Sequence, residues 1–189
     1  GPITQGLSNI IAKFITLLFD KGGIWPGLVI GGTYSFMVFL GIHHGLIPLF
    51  VTAIATTGYD LILPAIGMAN MGQAGAALSV GIKSKNKETK SVAVSAVTSA
   101  LLGITEPAIY GINIRFKRPF IAAAIGGAIG GAFSTFAKIE AYVIAGPSLA
   151  TIPMFVGKKA NNWLLALIGF AISFVIAFIV GYFLGFEDD

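Results

Sequence analysis

Six stretches of 15 or more residues contain no Asp, Glu, Lys or Arg: 22–59, 61–82, 91–105, 119–137, 141–157 and 160–186. A helix needs about 20 apolar residues to cross a bilayer, and uncharged runs of this length and number leave few other ways to fold. The remaining composition agrees. Apolar residues make up 56% of the 189-residue chain and charged residues 11%, and the mean hydropathy is +0.87. That is too little charge to coat a soluble globule, whose charged fraction is usually about 25%. A cytosolic enzyme, a disordered tail and a nucleic-acid-binding domain are therefore excluded as readings, and no nucleic-acid partner is expected. The expected class is all-α: a polytopic membrane protein of spanning helices plus re-entrant hairpins, with the lipid bilayer as its solvent.

The twelve basic residues outnumber the eight acids, and they cluster between apolar runs, which marks topology. Lys83-Ser84-Lys85-Asn86-Lys87-Glu88-Thr89-Lys90 is one cluster and Arg115-Phe116-Lys117-Arg118 a second. Both belong on the cytoplasmic side by the positive-inside rule. The 24 residues between them, 91–114, then enter and leave on one side and are too few to cross twice. The solution is a re-entrant hairpin with Gly103-Ile104-Thr105-Glu106-Pro107 near its tip, since Pro107 disfavours helix at Glu106. With one cluster outside, the same segment would be a single kinked span.

Residues 24–42 read as a spanning helix. The stretch after it, through His43-His44-Gly45, Pro48 and the Thr-rich 52–58, reads as broken and re-entrant, because irregular backbone at membrane depth needs protein or a watery cavity around it. Residues 61–82 read as a span packed among other helices, 141–157 as a broken segment around Gly146-Pro147 and Pro153, and 160–186 as a clean span. In 119–137 the pairs Gly126/Gly130 and Gly127/Gly131 overlay two G-x-x-x-G patterns, which let helix backbones approach closely. No strand precedes them and no Lys-Ser/Thr follows, so they are not a phosphate-cradling loop.

Residues 1–21 form a separate leading unit. Within 7–19, Ile10, Ile11, Phe14, Leu17 and Leu18 share one helical face and polar residues the other, as in an interfacial helix. The end of a longer helix reads the same way. Gly1-Pro2 has the form of a protease scar, and no basic n-region marks a signal peptide.

The ionisable residues at membrane depth are His43, His44 and Glu106. Their burial is costly unless paired, which makes each a functional candidate. A carboxylate accepts from two hydroxyls and an imidazole donates or accepts, which suits a sugar. Asn70, Gln73, Thr105 and Asn113 add neutral groups, although each would serve equally as an interhelical hydrogen bond. Asp60 and Glu140 fall at segment boundaries. No Cys is present, no Ser-His-Asp set is visible, and adjacent histidines converge poorly on one metal. No metal or cofactor is expected.

Gly103-Ile104-Thr105-Glu106-Pro107-Ala108-Ile109-Tyr110-Gly111, followed by Lys117-Arg118-Pro119-Phe120, resembles the membrane component IIC of phosphotransferase-system (PTS) sugar transporters. The nearest group is the β-glucoside/sucrose/trehalose type of the glucose superfamily, which includes N-acetylmuramic acid carriers. Gly41-Ile42-His43-His44-Gly45-Leu46-Ile47-Pro48 resembles the family's Gly-Leu-His stretch, and Gln73-Ala74-Gly75-Ala76-Ala77-Leu78 and residues 126–131 also match. The resemblance runs from about residue 25 onward.

The resemblance implies a homodimeric, multi-pass carrier of the bacterial cytoplasmic membrane. Such a carrier binds a sugar outside, shifts it by an elevator-like movement, and presents it to a IIB domain whose phosphocysteine donates the phosphoryl group. Glu106 maps to the sugar-binding Glu of the family motif and His43 to the family His. His44 departs from the aromatic residue common at the second position. Residues 22–189 correspond to the second, substrate-binding half of a IIC domain. The first half and IIB would have to come from partners, and the chain would not be active alone. An alternative is a truncated, non-enzymatic module that binds sugar or assembles with another subunit. A proton-coupled transporter using Glu106 is a third reading. The family's topology places Lys158-Lys159 outside, against the positive-inside preference.

Overall fold

The computed structural model describes residues 10, 13, 14, 17–19 and 22–187. The leading unit 1–21, with its amphipathic pattern, lies largely outside the described residues. Among those described, the chain is all-helical with no strand. Six α-helices follow one another: α1 (Trp25–Phe39), α2 (Ile47–Thr57), α3 (Ile62–Lys83), α4 (Lys87–Leu101), α5 (Arg118–Phe136) and α6 (Asn162–Leu184). Short 3-10 turns occupy His43–Leu46 and Ile152–Phe155, and a π-helical segment runs over Pro107–Asn113. Helices α5 and α6, of 19 and 23 residues, are long and apolar enough to cross a membrane.

Helix α3 is the axis of the bundle. It packs on α5, α6, α4 and α1, and buries residues on every side, from Ile62 and Leu63 to Ser79 and Val80. Small residues make this possible. Ala65, Ala69, Ala76 and Ala77 keep the surface of α3 low, so four helices can approach it. Its N-terminus is held by Asp60, whose Oδ2 accepts from the backbone N–H of Ile62 (2.8 Å) and Leu63 (2.6 Å). That satisfies two donors the helix itself leaves open.

The two G-x-x-x-G patterns of α5 serve two different neighbours. Gly127 and Gly131 face α1, where Gly31 and Gly27 lie against their carbonyls. Gly126 and Gly130 face α6 at Ser173 and Ala177. A Cβ at Gly31 would collide with the Gly127 carbonyl. Gly27-x-x-x-Gly31 of α1 is thus the partner motif of the α5 pattern.

Several boundaries differ from the hydropathy reading. Helix α1 has 15 residues and stops at Phe39, short of the expected 24–42, because Gly41 turns the chain at φ 71°. The stretch 52–58, expected to be broken, belongs to the regular helix α2, which ends on Gly58 at φ 84°. Its threonines fold back on their own helix, Thr56 Oγ1 donating to Thr52 O and Thr57 Oγ1 to Ala53 O, both at 2.8 Å. The basic cluster 83–90 is half helix. Asn86 Oδ1 accepts from Glu88 N (2.8 Å) and Thr89 N (3.3 Å) and starts α4 there. Residues 141–157 are irregular apart from one 3-10 turn, as the prolines predict.

Candidate functional site

Helix α4 and the π-helical segment pack against each other, with Ala93, Ala96 and Ala100 meeting Ala108 and Ile112. The turn between them carries Gly103 at φ 95°, and Pro107 opens the π-helical segment. Glu106 therefore sits at the junction of two helical pieces. Its side chain is exposed, while Thr105 beside it is buried. The Glu106 carboxylate is in electrostatic reach of both the Tyr34 hydroxyl and the His43 imidazole. Tyr34 of α1 and His43 of the following turn thus meet, with the Glu106 carboxylate within range of their electrostatics.

A cavity of about 290 Å³ is lined by Tyr34, His43, His44, Phe50, Ile66 and Pro147 among others, and Glu106 is not part of its lining. Both histidines reach it. Their two rings lie 4.0 Å apart with planes inclined at 38°. Tyr34 meets His43 edge-to-face at 6.0 Å. His43 Nδ1 is enclosed without a protein hydrogen-bond partner. An enclosed, unpaired ring nitrogen is costly and is a natural point for a ligand or water to bind.

The far wall is the loop 144–151. Asn70 Nδ2 of α3 donates to the Pro147 carbonyl at 3.0 Å. Thr151 Oγ1 accepts from Ser148 N (2.9 Å) and donates to Gly146 O (2.8 Å). Leu149 N donates to Leu101 O at 3.0 Å, which pins the loop to the end of α4, next to the turn bearing Glu106.

Gln73 stands apart from this cavity. Its Nε2 donates to Ser35 Oγ (2.6 Å), and its Oε1 accepts from Asn113 Nδ2 (2.6 Å). Buried at 1% exposure, it ties α1, α3 and the π-helical segment together. Sequence reasoning missed Tyr34 and the role of the Gly146-Pro147 loop. A tyrosine between Thr33 and Ser35 inside an apolar helix was the available signal. A second cavity of about 290 Å³ beside Phe19, Leu49 and Tyr59 is mostly apolar, and the carboxylate that reaches it, Asp60, is engaged in capping α3.

An all-helical bundle with two helices long and apolar enough to cross a membrane is the class this fold defines. Comparison with known proteins gives the family. Residues 1–127 match the family described as "Phosphotransferase system, EIIC", and the chain belongs to it. It is 41% identical over 188 residues to the PTS system beta-glucoside-specific EIIBCA component of Bacillus subtilis (strain 168), covering 99% of this chain and 30% of that protein. It is 40% identical over 173 residues to the sucrose-specific EIIBC component of the same organism, covering 92% of this chain and 38% of that one. With the sucrose-specific EIIBC component of Salmonella typhimurium it shares 38% over 191 residues, or 41% of that protein. The chain thus spans between about a third and two fifths of the length of these relatives. No solved structure matches it significantly.

Proposed function

We propose that this chain is the substrate-binding portion of a IIC carrier that moves a sugar across the bacterial cytoplasmic membrane while a IIB partner phosphorylates it. The observation that carries the reading is the cavity where Tyr34, His43 and His44 meet under the Gly146-Pro147 loop, with the Glu106 carboxylate near enough to act electrostatically on Tyr34 and His43. Residues 22–189 act as the transport half. The first half of IIC, a second copy in a homodimer and the IIB domain are its partners. The relatives' names, beta-glucoside-specific and sucrose-specific, support a glucoside or disaccharide as the sugar.

In this reading Glu106 accepts hydrogen bonds from sugar hydroxyls, and His43 and His44 fix the ring. When the sugar oxygen attacks phosphorus, its proton passes to the Glu106 carboxylate, the P–O bond forms and the P–S bond of the IIB phosphocysteine breaks. Positioning and electrostatics supply most of such a rate. Asn70 and Thr105 belong to the shell around the sugar, Asn70 through Pro147 and Thr105 beside Glu106, while Gln73 braces α1, α3 and the π-helical segment behind it. The segment 91–114 is a re-entrant hairpin in a multi-pass protein. The common end of its two flanking basic clusters supports this topology.

The test is sugar phosphorylation from phosphoenolpyruvate by the assembled carrier carrying Glu106→Gln. Loss of phosphorylation with intact assembly agrees with the reading. An unchanged rate would remove Glu106 from the site.

A further inference from the structure

The end of the molecule that carries Lys83 and Arg118 has a cavity of its own. Arg115, Phe116, Lys117, Arg118 and Glu187 line about 360 Å³ there. Among the described residues, three cations stand against one carboxylate there. Neither Arg115 nor Lys117 forms an ion pair among the described residues. Arg115 instead lies over the Phe116 ring at 5.1 Å. Phe116 is buried and packs on Phe186 at 4.9 Å, so it gives the cations an apolar wall. Arg118 is fixed by donating to the Leu184 carbonyl at 3.3 Å.

The backbone here is held in an unusual form. Lys117 has φ 60° and ψ −60°, which a residue with a Cβ adopts only at a cost. The Arg118 N–H closes a three-residue turn onto the Phe116 carbonyl at 2.7 Å. Strain and repulsion between like charges are both concentrated in these four residues. An anion bound among them would offset the repulsion. Phosphate is suited to this, because Arg and Lys form short, charge-assisted bonds to its oxygens. Basic pockets between membrane helices take anionic headgroups for the same reason.

We propose that this pocket binds a phosphate ester, with Arg115 and Lys117 as the donors and Arg118 as a fixed wall. Its chemistry fits an anionic phospholipid headgroup and a soluble sugar phosphate alike. It shares no residue with the Glu106 site. A chain that binds sugar but no phosphate would keep the functional reading and end this one.

The experiment uses the whole chain in neutral detergent, with two probes. Native mass spectrometry counts the phosphatidylglycerol retained, and the phosphorus-31 linewidth of glucose 6-phosphate reports the soluble ester. Each probe is applied to the unmodified chain, to Arg115→Gln/Lys117→Gln, and to Lys87→Gln/Lys90→Gln, which removes the same charge from exposed positions outside the pocket. For the probe that binds, the pocket variant is expected to weaken binding about 30-fold, from the usual contribution of two cations near an anionic surface, while the other pair changes little. Selective loss of phosphatidylglycerol assigns a headgroup, and selective loss of line broadening assigns a soluble ester. Equal loss in both variants, or no binding of either probe by the unmodified chain, overturns the proposal. Should the double variant fail to fold, Lys117→Gly relaxes the backbone, removes one cation and is expected to weaken binding about fivefold.

Discussion

Lys83 and Arg118 cap the same helix end. Lys83 Nζ donates to the Tyr182 carbonyl at 2.7 Å and Arg118 Nη1 to the Leu184 carbonyl at 3.3 Å, both in the last turn of α6. Cations are favourable at a helix C-terminus, where carbonyls lack partners. The contact also brings the two basic clusters to one end of the bundle. Lys159 lies at the opposite end, beyond the start of α6, where its Nζ donates to Ala137 O (2.6 Å) and Lys138 O (2.7 Å) at the end of α5. Its charge is used as a helix cap, an interaction that does not depend on which side of the membrane the lysine occupies.

Sidedness follows from this arrangement. The chain has no cysteine, so single cysteines report cleanly. Lys87→Cys and Arg115→Cys are expected to react with a membrane-impermeant maleimide only from the cytoplasmic side, and Lys158→Cys only from outside. Opposite labelling of Lys87→Cys and Arg115→Cys would make 91–114 a crossing segment.

The contact of α1 with α5 has no room for a methyl group. Gly31→Ala or Gly127→Ala is expected to destabilise the fold by about 1–3 kcal/mol, the usual cost of overpacking. Gly146→Ala meets nothing within 4 Å and is expected to be tolerated. Thermal unfolding in detergent distinguishes them, and equal melting temperatures for all three would disprove the close approach.

Asp60 gives the fold a pH dependence. Burial pushes its carboxyl up to about 6, against the backbone N–H groups of Leu63, Ile62 and Leu61, which pull it down. The folded state therefore holds this proton more tightly than the unfolded chain, whose carboxyl keeps the ordinary value of 3.8. The resulting penalty is absent below about pH 4, grows as pH rises to about 6, and is then constant. A shift of this size corresponds to about 3 kcal/mol. The chain is expected to melt at a higher temperature at pH 5 than at pH 7. Asp60→Asn keeps an acceptor for the helix cap and is expected to flatten that profile. A variant as pH-sensitive as the unmodified chain would assign the effect elsewhere.

Asn70 and Gln73 are on the same helix and are expected to behave differently. Asn70→Ala frees the Pro147 carbonyl and the cavity wall, so sugar affinity is expected to fall more than stability. Gln73→Ala leaves Asn113 and Ser35 without their buried partner, at a cost of about 1–3 kcal/mol, so stability is expected to fall first. Paired calorimetry and thermal melts on both variants check this, and a reversed order would put Gln73 at the sugar and Asn70 in the scaffold.

Much of this was legible in the sequence because membrane helices announce themselves by uncharged length. Helices α3, α5 and α6 lie close to their apolar runs. The ends of α1 and α2 were misplaced because hydropathy does not register the positive-φ glycines Gly41 and Gly58, nor threonines that return their hydroxyls to their own helix. The motif singled out Glu106, and the structure adds Tyr34, which no charge or spacing marked. Gln73 illustrates the opposite difficulty: an amide that binds a sugar and an amide that bridges helices look the same in a sequence.

Sugar binding to the purified chain, measured by calorimetry beside Glu106→Gln, bears most directly on the central claim. A panel of β-glucosides, sucrose and trehalose is expected to include one saturable ligand. Its affinity is expected to fall about 10- to 100-fold in the variant, the loss of charge-assisted hydrogen bonds to hydroxyls. A ligand bound with equal affinity by both proteins would contradict the account.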